Sequence, residues 1–80
     1  MRRPLGFRHI ETFHAIVLTG SVTGAATRLH VTQPAVSNVL RDAEERLGLP
    51  LFERRGGRLI PTQSAEALFA EIERSFIGLE

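Results

Sequence analysis

Residues 21–48 constrain this chain more than any other segment. Their pattern predicts two helices joined by a tight turn at His30 and Val31, and the second of these helices opens with small polar residues. Thr32 is its predicted N-cap, and Pro34 lies in its first turn, where a missing N–H leaves no intrahelical bond unmade. A helix that begins with short, outward-pointing polar side chains has the shape and chemistry to enter a DNA major groove.

Apolar residues at spacings of three and four predict the helices on either side of this turn. The predicted buried positions are Phe7, Ile10, Phe13 and Val17 in a first helix, and Val36, Leu40, Ala43 and Leu47 in a third. Gly20 is predicted to end the first helix, and Gly48 the third. Thr23 is predicted to cap a short second helix that runs to Leu29. Val31 is predicted to fill the angle between the second and third helices.

The remainder of the chain predicts a hairpin and a final helix. Residues 51–54 and 58–60 are predicted strands, and the glycines between them can turn at positive φ. Thr62 is the predicted cap of the last helix, whose apolar residues approximate a heptad seam. The seam is formed by Ala65, Leu68, Phe69, Ile72, Phe76 and Leu79. It predicts dimerisation, although the same residues could instead fold back onto the domain, with two phenylalanines covering the first helix.

Together these elements predict a mainly α fold, a winged helix-turn-helix of three helices and a two-stranded wing, followed by a long linker helix. The predicted division is a DNA-binding unit over residues 1–61 and a dimerisation helix over residues 62–80. The 80 residues correspond to a single small domain with a marginal core, which an oligomer would help to stabilise.

The composition excludes several classes of protein. The chain has no cysteine, which excludes a disulfide framework and any thiolate metal or redox site. No apolar run approaches the roughly 20 residues of a membrane span, and no signal peptide follows the N-terminal arginines, so we expect a cytoplasmic protein without membrane contact.

Charge is unevenly distributed along the chain. Residues 1–41 carry five arginines and one glutamate, a net charge of +4, and residues 54–62 carry +3. Residues 42–53 and 63–80 each carry −3. A basic face on an otherwise acidic protein is typical of a polyanion binder, although a solvated surface of mixed charge would give the same totals.

The predicted DNA contacts lie on the third helix and on the wing. They are Thr32, Gln33, Pro34, Ser37, Asn38, Arg41, Arg54, Arg55 and Arg58. Glutamine and asparagine can pair bidentately with adenine, serine can donate or accept, and arginine can bind guanine or phosphate. Arg41 could instead pair with Glu45, four residues further along the helix.

No catalytic or metal-binding set is predicted. His9 and His14 are five residues apart, which is not the spacing that places two ligands on one face of a helix. No nucleophile elbow or phosphate-binding loop is present. The sequence therefore predicts neither an enzyme nor a cofactor.

Three motifs carry a resemblance to a known family. They are SVTGAATRL from Ser21, VTQPAVS from Val31 and EERLGLPLFER from Glu44, and Thr62 follows the hairpin at the expected place. In this order they resemble the N-terminal DNA-binding domain of LysR-type transcriptional regulators.

The resemblance implies a bacterial regulator that binds double-stranded DNA, dimerises through its last helix and senses a small molecule through a C-terminal domain absent from this sequence. It implies DNA contacts by Gln33, Pro34, Ser37 and Arg54. Segments in the wing and last helix look similar to regulators of amino-acid or opine metabolism. The chain departs from the family pattern in having Asn38 where arginine is frequent, Ala43 where a larger apolar residue is usual, and Ala65 where glycine is frequent.

A second function remains open at this point. A winged helix can be a protein–protein interaction module without DNA binding, and the apolar seam of the last helix would then be its main surface. The outward polar residues and the hairpin arginines favour DNA.

Overall fold

The computed structural model describes residues 4–75. In chain order, the elements are α1 (Phe7–Thr19), α2 (Val22–Leu29), α3 (Gln33–Leu47), β1 (Phe52–Arg55), β2 (Arg58–Pro61) and α4 (Gln63–Ser75). This is the predicted winged helix-turn-helix followed by one further helix.

Helix α1 lies at the centre of the domain and ends where the sequence predicts. Gly20 takes φ +78°, and its N–H donates to the carbonyl of Ile16 at 2.7 Å. That left-handed backbone suits glycine, which has no Cβ. Phe13 and Ile16 are fully buried, so this helix supplies side chains to both halves of the core.

The start of α2 differs from the prediction. Its N-cap is Ser21, whose hydroxyl accepts a hydrogen bond from the N–H of Gly24 at 2.8 Å, and Thr23 is an exposed residue inside the helix. The earlier start places four apolar residues on one helical face, at spacings of three, four and seven. This face consists of Val22, Ala25, Ala26 and Leu29, all of which pack in the same cluster.

The turn between α2 and α3 is held by its backbone. His30 adopts the left-handed conformation at φ +60°, and the N–H of Val31 donates to the carbonyl of Ala26 at 3.0 Å. The prediction that Val31 fills the interhelical angle is wrong, because the residue is 40% exposed. Val36 is buried at that corner instead, in one cluster with Ile16 of α1 and Ala26 of α2.

Helix α3 begins and ends as predicted. The hydroxyl of Thr32 accepts a hydrogen bond from the N–H of Ala35 at 3.2 Å, and the helix stops at Gly48. Val36 and Ala43 are fully buried, and Leu40 and Leu47 pack beside them. The opposite side of α3 therefore faces away from the core.

The wing is an antiparallel hairpin in which Arg54 pairs with Leu59 and Arg55 with Arg58. Gly56 and Gly57 form its tip at φ +55° and +79°, the two positive values that a tight type I′ turn requires. The N–H of Leu59 donates to the carbonyl of Gly20 at 3.1 Å, and the N–H of Thr62 donates to Leu51 at 3.0 Å. The first bond joins the wing to the loop between α1 and α2, and the second closes the base of the hairpin, one residue beyond the paired strands.

Helix α4 follows the wing and packs one of its faces against the core of the domain. Thr62 caps it, accepting from the N–H of Ala65 at 3.2 Å. Ala65 and Ile72 are 0% and 1% exposed, respectively, in the same cluster as Phe13. His14 on α1 bonds to Glu73 at 2.5 Å and stacks on Phe69, which further fixes the direction of α4.

The predicted dimerisation seam is corrected at two positions. Ala65 and Ile72 are buried in the core of their own domain, because that face of α4 lies against α1 and the wing. They are therefore not available to a partner subunit. Leu68 and Phe69 are partly buried and keep some free surface. Phe76 and Leu79, the last members of the predicted seam, lie outside the described residues.

A charged cluster joins α1 to α3 and predicts an acid-dependent stability. His9 bonds to Asp42 at 2.6 Å, and Arg46 donates to the same carboxylate oxygen at 2.8 Å. The bond to His9 has the largest effect on the pKa of Asp42, and the bond from Arg46 the next largest. Together they hold that pKa below its ordinary value of 3.8. The bonds to the ionised carboxylate therefore stabilise the fold above that value, and their contribution is lost as the pH falls through the lowered pKa.

We expect Asp42→Asn to flatten this dependence. The urea midpoint of the unmodified chain should fall with acidification below pH 3.8 more steeply than that of the variant. Glu45→Gln is the control, since it removes an exposed carboxylate from the same helix. Parallel acid profiles for the unmodified chain and Asp42→Asn would contradict the assignment.

Candidate nucleic-acid interface

The outward side of α3 is uncovered by the described part of the chain. Thr32, Gln33, Pro34, Asn38 and Arg41 are exposed, and Ser37 is half-buried. The sequence predicted all six for this face, and the structure places them there because Val36, Leu40 and Ala43 fix the opposite side in the core. In the first turn of α3, Pro34 has no N–H and the N–H of Ala35 is bonded to Thr32, so the backbone N–H of Gln33 is the donor left for an anion.

A cleft brings the third helix and the wing together. Its lining includes Gln33 and Ser37 of α3, Arg54 of β1, and Ser21 and Thr23 at the start of α2. Four neutral hydrogen-bonding side chains and one guanidinium thus converge from elements that are separate in sequence. A phosphodiester backbone needs cationic and N–H donors, and a base edge needs the neutral groups beside them.

The α2 residues at this cleft were not among the sequence-predicted site residues. Ser21 and Thr23 lie at its rim because α2 begins two residues earlier than predicted. The signal that could have located them is the apolar spacing from Val22 to Leu29, which fixes the start of the helix.

Arg41 has a partner on its own helix. Its Nη1 donates to Oδ1 of Asn38 at 2.9 Å, and both side chains are exposed. The alternative pairing with Glu45 is absent among the ion pairs of residues 4–75.

The three wing arginines occupy three different environments. Arg54 lines the cleft with the α3 residues. Arg55 pairs with Glu53 at 3.0 Å, and both groups are largely exposed. The guanidinium of Arg58 lies against Gly20, where a Cβ would collide with it. Only Arg54 is therefore brought together with Gln33 and Ser37, whereas Arg55 and Arg58 would have to leave a local contact to reach the same ligand.

The histidines of α1 serve the fold. His9 accepts a hydrogen bond from the N–H of Gly6 through Nδ1 and bonds to Asp42 through Nε2, and His14 bonds to Glu73. Within residues 4–75, no three histidine or acidic side chains converge as a metal site would require. None of the helices in that range is long and apolar enough to cross a membrane.

Comparison with known proteins identifies this architecture. The sequence model described as "Bacterial regulatory helix-turn-helix protein, lysR family" matches residues 7–66, which include α1, the helix-turn-helix, the wing and the start of α4. The chain is 59% identical over 69 residues to the HTH-type transcriptional regulator DgcR of a Pseudoalteromonas species, covering 86% of this chain and 24% of that protein. It is 48% identical over 75 residues to the octopine catabolism/uptake operon regulatory protein OccR of Rhizobium meliloti, covering 94% of this chain and 25% of that protein.

Solved structures agree with the sequence comparison. The DNA-binding domain of CbnR in its complex with DNA superposes with a TM-score of 0.81 at 32% identity, covering 86% of this chain and 79% of that chain. The present chain spans about a quarter of the length of the curated relatives it matches. Since the family match covers most of its residues, the chain belongs to the LysR family of bacterial regulators and carries their winged helix-turn-helix DNA-binding domain.

Proposed function

We propose that this domain binds one DNA sequence in preference to others, by inserting the outward side of α3 into the major groove. The observation that carries the proposal is the convergence of Gln33, Ser37 and Arg54 on one cleft. A helix of this width fits the major groove, where each base pair presents a distinct set of donors and acceptors. Gln33 and Ser37 would read base edges there.

Phosphate contacts would supply most of the affinity. Arg54 reaches the cleft from the wing, and the first turn of α3, flanked by Thr32 and Pro34, offers the backbone N–H of Gln33 and the positive end of the helix dipole. Arg55 and Arg58 would add charge at the wing after releasing Glu53 and the loop at Gly20. Such contacts hold the protein in register and carry little sequence information.

Dimerisation through α4 is the second part of the proposal. Leu68 and Phe69 retain free surface, and Phe76 and Leu79 continue the same spacing toward the C-terminus. Two copies related by a twofold axis would place their α3 helices in successive major grooves, roughly 34 Å apart, on a dyad site. Sedimentation equilibrium across a dilution series tests this. A chain still monomeric at roughly 50 μM would have a dimerisation free energy weaker than about −6 kcal/mol, which would refute it.

The function of the whole protein is the third part of the proposal. We propose a cytoplasmic regulator in which a separate domain, outside the 80 residues described by this sequence, senses a small molecule. The relative OccR is named for octopine catabolism and uptake, which favours genes of opine or amino-acid metabolism as targets.

The central experiment is selection of bound DNA from a random pool, followed by fluorescence titration of the selected duplex and a shuffled one at several salt concentrations. Tighter binding to the selected duplex at every salt concentration is expected. Absence of any salt-dependent binding would favour the protein–protein interaction module instead.

Arg54→Ala should weaken binding to the selected and the shuffled duplex by similar factors, because a phosphate contact does not depend on the base sequence. The slope of log K against log salt should fall in magnitude by about 1. Arg74→Ala is the matched control: it removes the same charge from α4, away from the cleft. A loss restricted to the selected duplex would show that Arg54 reads a base.

A further inference from the structure

Asn38 and Arg41 form a bonded pair on the outward side of α3. They lie one helical turn apart, both are exposed, and Nη1 of Arg41 donates to Oδ1 of Asn38 at 2.9 Å. The pair lies at the C-terminal end of the face that the proposed function places in the major groove, directly after Ser37.

The chemistry of guanidinium fixes which way the Asn38 amide points. Arginine carries N–H donors and no acceptor, so the amide oxygen must face Arg41 and the amide NH₂ must point away from it. The guanidinium occupies one of the two lone pairs of that oxygen, so the oxygen keeps one acceptor site beside the two N–H donors of the amide. Arg41 presents its remaining N–H groups, and donors therefore outnumber acceptors on the pair.

A surface rich in donors discriminates among the base pairs. Adenine presents an acceptor and a donor in the major groove, so bidentate reading by asparagine needs both a free oxygen and a free NH₂. Guanine presents two acceptors, O6 and N7, which match two N–H groups of one guanidinium. The bond between Asn38 and Arg41 thus competes with the adenine contact that Asn38 alone could make.

The position of Arg41 on the helix favours a base over a phosphate. Gln33, Ser37 and Arg41 recur every four residues and form one stripe along α3. Gln33 and Ser37 are the base readers of the proposed function. If this stripe lies along the groove, Arg41 lies beside a base edge further along the same groove.

We infer that Arg41 reads a guanine in the major groove and that Asn38 is the positioning residue that aims it. The inference rests on the proposed function and adds a base identity to it. Removing Arg41 frees the oxygen of Asn38, so the same position of the site should then accept adenine.

Selection of bound DNA by the 80-residue chain and its variants tests this. The unmodified chain should enrich one guanine position, with about 10- to 100-fold preference over adenine by titration. Arg41→Ala should lose that preference and gain adenine at the same position or the next one. The double variant Asn38→Ala/Arg41→Ala should prefer neither base, and Asn38→Ala alone should keep a weaker preference for guanine.

Arg28→Ala is the matched control, because it removes an exposed arginine from the last turn of α2 without touching α3. It should leave the selected sequence unchanged, and thermal melts of all variants verify folding. If Arg41→Ala lowers affinity for every sequence equally, Arg41 binds phosphate and the inference is overturned while the proposed function stands. If the unmodified chain enriches no sequence, both are overturned.

Discussion

Phe13→Ala is expected to destabilise the domain by about 3–5 kcal/mol, the usual cost of removing a buried phenylalanine ring. Phe13 is 1% exposed, and its ring centroid lies 5.6 Å from that of Phe52, in β1 of the wing. A domain of 80 residues has a total stability of about 4–12 kcal/mol, so this loss would remove a large part of it. The measurement is the free energy of unfolding from urea titration followed by circular dichroism.

Phe7→Ala supplies the matched control on the same helix. Phe7 is 70% exposed, so its removal leaves no cavity and should change the unfolding free energy by less than about 0.5 kcal/mol. Equal losses for the two phenylalanine variants would show that the central position assigned to Phe13 is incorrect.

Gln33→Ala should weaken binding to the selected duplex by about 1–3 kcal/mol, since an unpaired base edge is left in the groove. Binding to shuffled DNA should change little, because no phosphate contact is lost. The measurement is a pair of anisotropy titrations at one salt concentration. Equal weakening on the two duplexes would remove Gln33 from the base readers.

The chain contains a close control for that experiment. Gln63 is the first residue of α4 and follows Thr62 as Gln33 follows Thr32, and it is likewise exposed. Gln63→Ala therefore makes the same chemical change at an equivalent helix position outside the cleft, and binding to both duplexes should be preserved. A specific loss from this variant would move the interface toward α4.

Local signals explain which parts of the fold could be predicted. Gly20 and Gly48 end helices through their own backbone conformation, and Thr32 and Thr62 cap helices through their own hydroxyls, so each of these signals can be read from the local sequence. The outward side of α3 followed from the period of its apolar residues.

The errors arise where the same sequence pattern fits two structures. Ser21 and Thr23 are both good caps, and the earlier start is the one that packs Val22 in one cluster with the two buried alanines of α2. The spacing of Ala65 and Ile72 suits a dimer seam and a domain core equally, and contact with α1 selects the core.

Side-chain partners were the least predictable part of the candidate site. Spacing alone allows Arg41 to reach either Asn38 or Glu45, and it carries no information on a guanidinium that folds back over a loop, as that of Arg58 does at Gly20. Such choices depend on rotamers and on neighbours that the chain brings together only after folding.

The attachment of the wing has a consequence for redesign of the domain. The bond from Leu59 to Gly20 joins the wing to the loop between α1 and α2, the bond from Thr62 to Leu51 closes its base, and both use main-chain atoms alone. Exchanging side chains at the tip therefore leaves both bonds in place, and Arg54 keeps its location relative to α3. Different side chains can therefore be introduced at the hairpin tip to change which DNA the protein prefers, while the backbone that supports the hairpin stays the same.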